Sequence, residues 1–145
     1  MKRWFSVSVI LVIVVLALSG CYPKSGVSVS NVRSNACKSG DNCGVFMTIA
    51  NSAGTADTLL AAKTGVAMSA GLHTVVKDDQ GGMKMTPVEN IPVPASGSVE
   101  LKPGSLHVML MKLNQDLKEG DTFPLTLQLK NAGEVTVQVA VKAAN

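Results

Sequence analysis

Residues 126–141 read TLQLKNAGEVTVQVAV, and this stretch decides the fold class. Apolar and polar residues alternate on both sides of the turn signal at 131–133, the pattern of half-buried β-strands. Residues 44–51 are similarly rich in apolar and β-branched side chains. Further turn signals recur at 51–54, 78–82, 103–104 and 119–121. Many short strands divided by turns predict an antiparallel sandwich or barrel, with 57–63 the one segment that is ambiguous between helix and strand.

The N-terminal segment has the features of an export signal. Lys2 and Arg3 precede an apolar run at 5–18, and Leu18-Ser19-Gly20-Cys21 follows. A short apolar run that ends in small residues is typical of a cleaved signal rather than a membrane-spanning helix. The terminal cysteine resembles the lipobox of bacterial lipoprotein signals, which implies cleavage before Cys21 and acylation of that residue. The alternative is an ordinary cleaved signal that leaves Cys21 free.

These features predict the domain organisation and the location of the protein. We expect a signal peptide at 1–20, a lipidated tether at 21–26 and one domain at 27–145. Several acyl chains on one residue hold a protein on a membrane more firmly than a single myristoyl chain does. The predicted location is the extracytoplasmic face of a bacterial membrane, in the periplasm or at the cell surface.

The charge balance argues against a nucleic-acid partner. Cleavage removes Lys2 and Arg3 and no acidic residue, so the formal net charge falls from +3 to +1. A nearly neutral chain has no basic patch of the kind that binds nucleic acid or an anionic membrane surface. Aromatic residues make up only 3% of the chain, so Val, Leu and Ile must fill the core.

Two cysteines remain for the folded domain. Cys37 and Cys43 flank a short polar loop. In an exported protein such a pair is expected to form a disulfide. A redox or metal-binding role for the pair is the alternative.

The methionines and histidines carry the functional signal. Both histidines and four of the seven methionines fall between residues 73 and 111, namely His73, Met83, Met85, His107, Met109 and Met111. Thioether sulfur and imidazole nitrogen together suit the soft cuprous ion rather than a hard cation. The cluster therefore predicts a Cu(I) site.

Period-two geometry indicates which of these side chains can meet. On a strand at 105–112, residues 107, 109 and 111 share one face, while Leu106, Val108 and Leu110 form the core face. We therefore expect His107, Met109 and Met111 on the less buried side. A hairpin of 72–77 and 83–91 supplies the other half of the site.

The register of that hairpin follows from its Gly-rich turn. If Lys77 lies opposite Met83, then Val75 lies opposite Met85 and His73 is diagonal to Met85. Diagonal neighbours lie about 7–8 Å apart, a gap that a metal with ligands from both strands can bridge. The shared parity of residues 73, 83 and 85 places them on one face.

At these residues the chain resembles the PCuAC family of periplasmic copper chaperones. The family pattern is His-Met, ten residues, Met, twenty-one residues and His-x-Met. Here His73 and Thr74 are followed by ten residues, then Met85, then twenty-one residues and His107-Val108-Met109. The surrounding sequence is also similar to the family, at 49–59, 83–88, 94–97, 99–104 and 117–127.

The resemblance implies a fold and a ligand set. The implied fold is a cupredoxin-like antiparallel β-sandwich with Greek-key connections. The implied ligands are His73, Met85, His107 and Met109. Apart from the resemblance, Met83 and Met111 are candidates for auxiliary ligands or for core filler. Thr74 replaces the family's optional methionine. Residues 142–145 contain no His or Met, so we do not expect the Cu(II) capacity associated with the His/Met-rich tail of some relatives.

The predicted function is a membrane-tethered extracytoplasmic Cu(I) chaperone, not an enzyme. No cysteine lies near the cluster to make a blue-copper site, and no Ser-His-acid arrangement has a plausible order. The resemblance implies that the recipient is a copper centre of cytochrome c oxidase or a Sco-type assembly factor. Two alternatives remain: a copper-buffering lipoprotein for metal tolerance that uses the same site, and a non-metal structural β-sandwich lipoprotein.

Overall fold

The computed structural model describes residues 26–143. The predicted signal peptide and the lipidation site at Cys21 lie outside these residues. The described part contains ten strands. They are β1 (Val27–Asn35), β2 (Cys43–Asn51), β3 (Asp57–Lys63), β4 (Ala67–Lys77), β5 (Met83–Pro87), β6 (Ile91–Val93), β7 (Gly97–Leu101), β8 (His107–Leu113), β9 (Thr122–Leu129) and β10 (Gly133–Lys142). Between residues 26 and 143 no helix has the length and apolar character needed to cross a bilayer.

The strands form two layers joined by β1. One layer has the order β5-β4-β8-β2-β1, with β7 paired to the same edge of β2 as β8. The other has the order β10-β9-β3-β6. The chain crosses repeatedly between layers, so that β2, β4 and β8 alternate with β3, β6 and β9. The predicted β-sandwich is therefore confirmed.

One strand pair departs from the expected antiparallel arrangement. The end of β1 runs parallel to β10, with Arg33 opposite Ala140. The register of β1 with β2 shifts between Ser30 and Arg33, where Asn31 has a φ of 54°. This bulge bends β1 from one layer into the other.

The core consists of aliphatic side chains that face inward from both layers. Its fully buried members include Val45, Ile49, Leu59, Leu110 and Leu127. Phe123 is the one aromatic side chain among the buried core residues of the described chain. The alternation at 126–141 accordingly becomes the β9–β10 hairpin, with Leu129 opposite Gly133.

Two segments differ from the simplest sequence interpretation. The ambiguous segment 57–63 is strand β3, paired with both β6 and β9. The expected strand at 83–91 is split, since β5 ends at Pro87 and β6 begins at Ile91 in the other layer. The hairpin pairing extends one residue past Pro87, since the N–H of Val88 donates to the carbonyl of Leu72 (2.9 Å), and the chain then passes to β6 in the other layer.

The predicted disulfide between Cys37 and Cys43 is confirmed, with Cα atoms 6.2 Å apart. Cys43 begins β2 opposite Leu110 and is buried on the core face. The bridge thus ties the loop before β2 to the core.

Candidate metal centre

Strands β4 and β8 place the two histidines side by side. His73 lies directly opposite His107, followed by Gly71 opposite Met109 and Ser69 opposite Met111. Directly opposed residues of antiparallel strands share a face. The predicted grouping of residues 107, 109 and 111 on one face is confirmed.

The β4–β5 hairpin has the predicted register. Lys77 lies opposite Met83 and Val75 opposite Met85. His73 lies opposite Pro87, which makes it a diagonal neighbour of Met85. All six His and Met residues of the cluster therefore lie on one face of three adjacent strands.

The candidate ligands differ in burial. His107 is only 3% exposed and Met109 only 9%, whereas Met85 is 58% exposed. The expectation of a less buried face is therefore too simple: His107 and Met109 are nearly as buried as the core face of β8. The aromatic ring of Phe46, 6.2 Å from that of His107 between centroids, lies beside His107. Met83 is also exposed, and Met111 is partly buried.

Each histidine has a buried ring nitrogen without a protein partner. In His107, Nδ1 lies 2.9 Å from the carbonyl oxygen of Ser105, while Nε2 has no hydrogen-bond partner. A proton on Nδ1 would donate to Ser105 and leave the Nε2 lone pair free, as in metal-binding histidines whose other nitrogen is held by a carbonyl. Nδ1 of His73 is likewise buried and unpartnered. The two ring centroids are 6.0 Å apart.

These unpartnered nitrogens fit a soft metal ion. A buried polar atom without a partner costs about 1–3 kcal/mol, a cost that a metal bond at the same lone pair would remove. Within residues 26–143 no three His, Cys, Asp or Glu side chains converge. Any metal at this position would therefore need methionine sulfur to complete its shell, which favours copper(I) over zinc or calcium.

Two glycines that the sequence analysis did not select flank Met109. Gly44 on β2 and Gly71 on β4 are both directly opposite Met109 on β8. A β-carbon on Gly71 would lie 3.2 Å from Cε1 of His73 and 3.4 Å from the methyl carbon of Met111. A glycine inside a strand often marks such a close approach. These two glycines were therefore a sequence signal for this position.

Phe46 is a third residue that sequence reasoning missed. Its ring lies over Gly44, since a β-carbon there would be 2.9 Å from Cζ of Phe46. A cavity of about 270 Å³ opens beside the ring and is lined by Val75, Met85, His107 and Met109 among others. The described lining residues include no carboxylate.

The cysteines do not join this cluster. Cys43 is adjacent to Gly44 in sequence but faces the core, and its sulfur is bonded to Cys37. The alternative of a metal role for this pair is therefore not favoured by its geometry. Asn42 does approach the cluster, because it lines the same cavity as Met85, His107 and Met109; its side-chain oxygen accepts a hydrogen bond from the N–H of Lys112 (3.0 Å).

Fold and site together define a cupredoxin-like domain with a His/Met-lined face. The family model described as "Putative lipoprotein LpqE-like" matches residues 27–141, and the chain belongs to this family. A curated relative, "Putative lipoprotein Lxx21020" of Leifsonia xyli subsp. xyli (strain CTCB07), is 28% identical over 141 residues, covering 89% of this chain and 84% of the relative.

Solved structures of similar sequence have the same fold. The copper-bound PCuAC domain from PmoF2 is 25% identical, with a TM-score of 0.69, over 82% of this chain and 94% of that domain. The solution structure of CuI-DR1885 from Deinococcus radiodurans is 30% identical, with a TM-score of 0.55, over 79% of this chain and 80% of that one. The PCuAC resemblance predicted from sequence is confirmed.

Proposed function

We propose that this protein is a membrane-tethered, extracytoplasmic copper chaperone that carries Cu(I) on His73, Met85, His107 and Met109. The observation that carries the proposal is the pair of buried, unpartnered imidazole nitrogens on directly opposed residues of β4 and β8. Copper in two structurally similar domains supports the choice of metal.

The ligand chemistry supports the cuprous state. Two neutral imidazoles and two neutral thioethers add no negative charge, and thioethers select soft Cu(I). Of the four proposed ligands, Met85 is the most exposed and lies on the edge strand β5. An exposed ligand at a sheet edge is accessible to a partner, so that copper can leave by stepwise ligand exchange.

The membrane tether rests on the lipobox and on the family. Cys21 ends a lipobox, and both the matching family and the curated relative are described as lipoproteins. Replacement of Cys21 by Ser should abolish labelling by radioactive palmitate. Wild-type protein that is not labelled, or labelling that persists in the variant, would contradict the tether.

Copper binding is tested by chelator competition. The purified protein, under anaerobic and reducing conditions, should remove one equivalent of Cu(I) from bicinchoninate. His107→Gln combined with Met109→Leu should abolish this binding, while Met68→Leu should not, because Met68 is 75% exposed near the start of β4 and does not line the cavity beside the proposed ligands. Circular dichroism checks that each variant is folded. A folded wild-type protein that leaves the copper on the chelator contradicts the proposal.

The proposed recipient is a copper centre of cytochrome c oxidase, or a Sco-type assembly factor, as the PCuAC resemblance implies. A deletion strain tests delivery. Oxidase activity should fall and recover with added copper or with the wild-type gene, but not with the His107→Gln, Met109→Leu gene. Normal oxidase activity together with copper sensitivity would instead indicate copper buffering.

A further inference from the structure

We propose that Phe46 is a specificity-determining residue of this site, whose ring closes the β2 side and favours Cu(I) over Cu(II). The inference rests on the proposed function, since it concerns which oxidation state of copper the same four ligands hold.

The ring position follows from two contacts and a shared cavity. The Phe46 ring is tilted by 53° against the ring of His107, with centroids 6.2 Å apart. Its far end, Cζ, lies over Gly44, the residue directly opposite Met109. The ring therefore runs along β2 from the level of His107 to the level of Met109, and it lines the same cavity as these two proposed ligands.

Gly44 is what permits this position. A β-carbon on residue 44 would lie 2.9 Å from Cζ of Phe46, a distance that real β-carbons essentially never show. The ring would have to move if residue 44 were alanine. A glycine at this place in a strand weakens the strand, so its presence is consistent with a requirement for the ring.

Arg33 holds the ring from the other neighbouring strand. It lies directly opposite Phe46 on β1, and its guanidinium carbon is 5.7 Å from the ring centroid. A guanidinium within about 6 Å of an aromatic face is attracted to it. The ring thus lies between a cation on one side and the His/Met cluster on the other.

An apolar wall discriminates between the two oxidation states of copper. Cu(II) prefers tetragonal nitrogen and oxygen coordination, whereas thioether-rich sites suit Cu(I). The ring covers the β2 side of the cluster and keeps an added water ligand out on that side, and the described cavity lining supplies no carboxylate. Removal of the ring should therefore strengthen Cu(II) binding more than Cu(I) binding.

The test compares the affinities of Phe46→Ala and wild-type protein for each ion separately. Cu(I) is measured against bicinchoninate and Cu(II) against glycine as competitor. We expect the ratio of Cu(II) to Cu(I) affinity to rise by about tenfold, equivalent to ~1.4 kcal/mol. Electron paramagnetic resonance of the Cu(II) form in ¹⁷O-water should show more bound water in Phe46→Ala than in wild type.

Two further variants separate this role from general destabilisation. Gly44→Ala keeps the phenylalanine but displaces its ring, and should raise the same ratio. Phe123→Leu alters the buried core phenylalanine on β9 and should leave the ratio unchanged despite lower stability. If Phe46→Ala and Gly44→Ala bind Cu(I) and show the wild-type ratio of Cu(II) to Cu(I) affinity, the inference is wrong while the proposed function stands. If wild-type protein binds no copper, both fail.

Discussion

Met85 and Met109 lie on the same face of the sheet but differ in exposure, at 58% and 9% respectively. Met85 belongs to the edge strand β5, whereas Met109 lies on β8 between two paired neighbours. The face therefore has a buried side formed by β8 and an exposed side formed by the β4–β5 hairpin. The proposed ligands on these two sides should respond differently to substitution.

Met85→Ala should weaken Cu(I) binding without destabilising the fold. An exposed side chain contributes little to packing, so the free energy of unfolding should change by less than about 0.5 kcal/mol. The loss of one sulfur ligand should lower Cu(I) affinity by about tenfold or more, or ~1.4 kcal/mol. Chelator competition and urea unfolding measure the two effects. Unchanged affinity would remove Met85 from the ligand set.

Met109→Ala should lower both the Cu(I) affinity and the free energy of unfolding. Truncation of a buried methionine costs about 2–5 kcal/mol in unfolding free energy, and the sulfur is lost as well. Met109→Leu is the matched control, since it keeps the volume with a cost below about 1.5 kcal/mol. A weakened affinity in the leucine variant, at nearly wild-type stability, assigns the effect to sulfur. Wild-type affinity in that variant would argue against a ligand role.

Gly71→Ala should impair copper binding through His73. The new β-carbon would lie 3.2 Å from Cε1 of His73 and 3.4 Å from the methyl of Met111, so the imidazole must shift. We expect Cu(I) affinity to fall by a factor of about ten, or ~1.4 kcal/mol. Gly65→Ala is the control, because no atom lies within 4 Å of its β-carbon position. Equal affinities for the two variants would show that the His73 ring tolerates displacement.

Removal of the disulfide should lower stability. Closure of the short loop between Cys37 and Cys43 contributes about 2 kcal/mol on the chain-entropy model. The double alanine variant should therefore unfold at a lower urea concentration than wild type. Reductant should lower the urea midpoint of the wild-type protein and leave that of the variant unchanged. Thiol titration checks that the bond has been reduced. If the urea midpoint of the reduced wild-type protein is then unchanged, the disulfide does not contribute the expected stability.

Asp57 should make stability depend on acid pH. Burial by itself raises the pKa of this carboxyl group, but hydrogen bonds from the backbone N–H groups of Asn131, Thr58 and Ala132 outweigh burial and hold the pKa below its ordinary 3.8. A lowered folded-state pKa means that the stabilisation is present above pH 3.8 and is lost as the pH falls through the folded value.

Asp57→Asn should therefore cost about 1–3 kcal/mol at neutral pH and progressively less below pH 3.8. Urea unfolding at several pH values measures the difference. Asp79→Asn, an exposed change in the β4–β5 turn, should have little effect at any pH. If the difference in unfolding free energy between Asp57→Asn and wild type stayed constant as the pH fell below 3.8, the charge of Asp57 would not be the cause.

Much of the candidate site could be predicted from local sequence. The parity of residues 107, 109 and 111 determines their common face, because side chains alternate along any strand. The Gly-rich turn after Lys77 determines the hairpin register, since turn length and register are coupled. The structure agrees with both.

Two features could not be predicted from local sequence: that 57–63 forms a strand, and that β5 ends at Pro87. Segment 57–63 has no decisive periodicity, and its state is settled by pairing with β6 and β9, which are distant in sequence. The burial of His107 was also underestimated, because Phe46, which lies beside it, belongs to β2. Contacts between strands far apart in the chain have no local sequence signal.

The sequence by itself determined the strand-rich class, the face on which each His and Met lies, and the hairpin register, because these depend only on backbone periodicity and a short turn. The tertiary structure alone decided that β8 lies between β4 and β2. That order places Gly71 and Gly44 on either side of Met109 and brings Phe46 beside His107. The physical reason is that sheet order results from burial of apolar surface over the whole chain, which no local segment specifies.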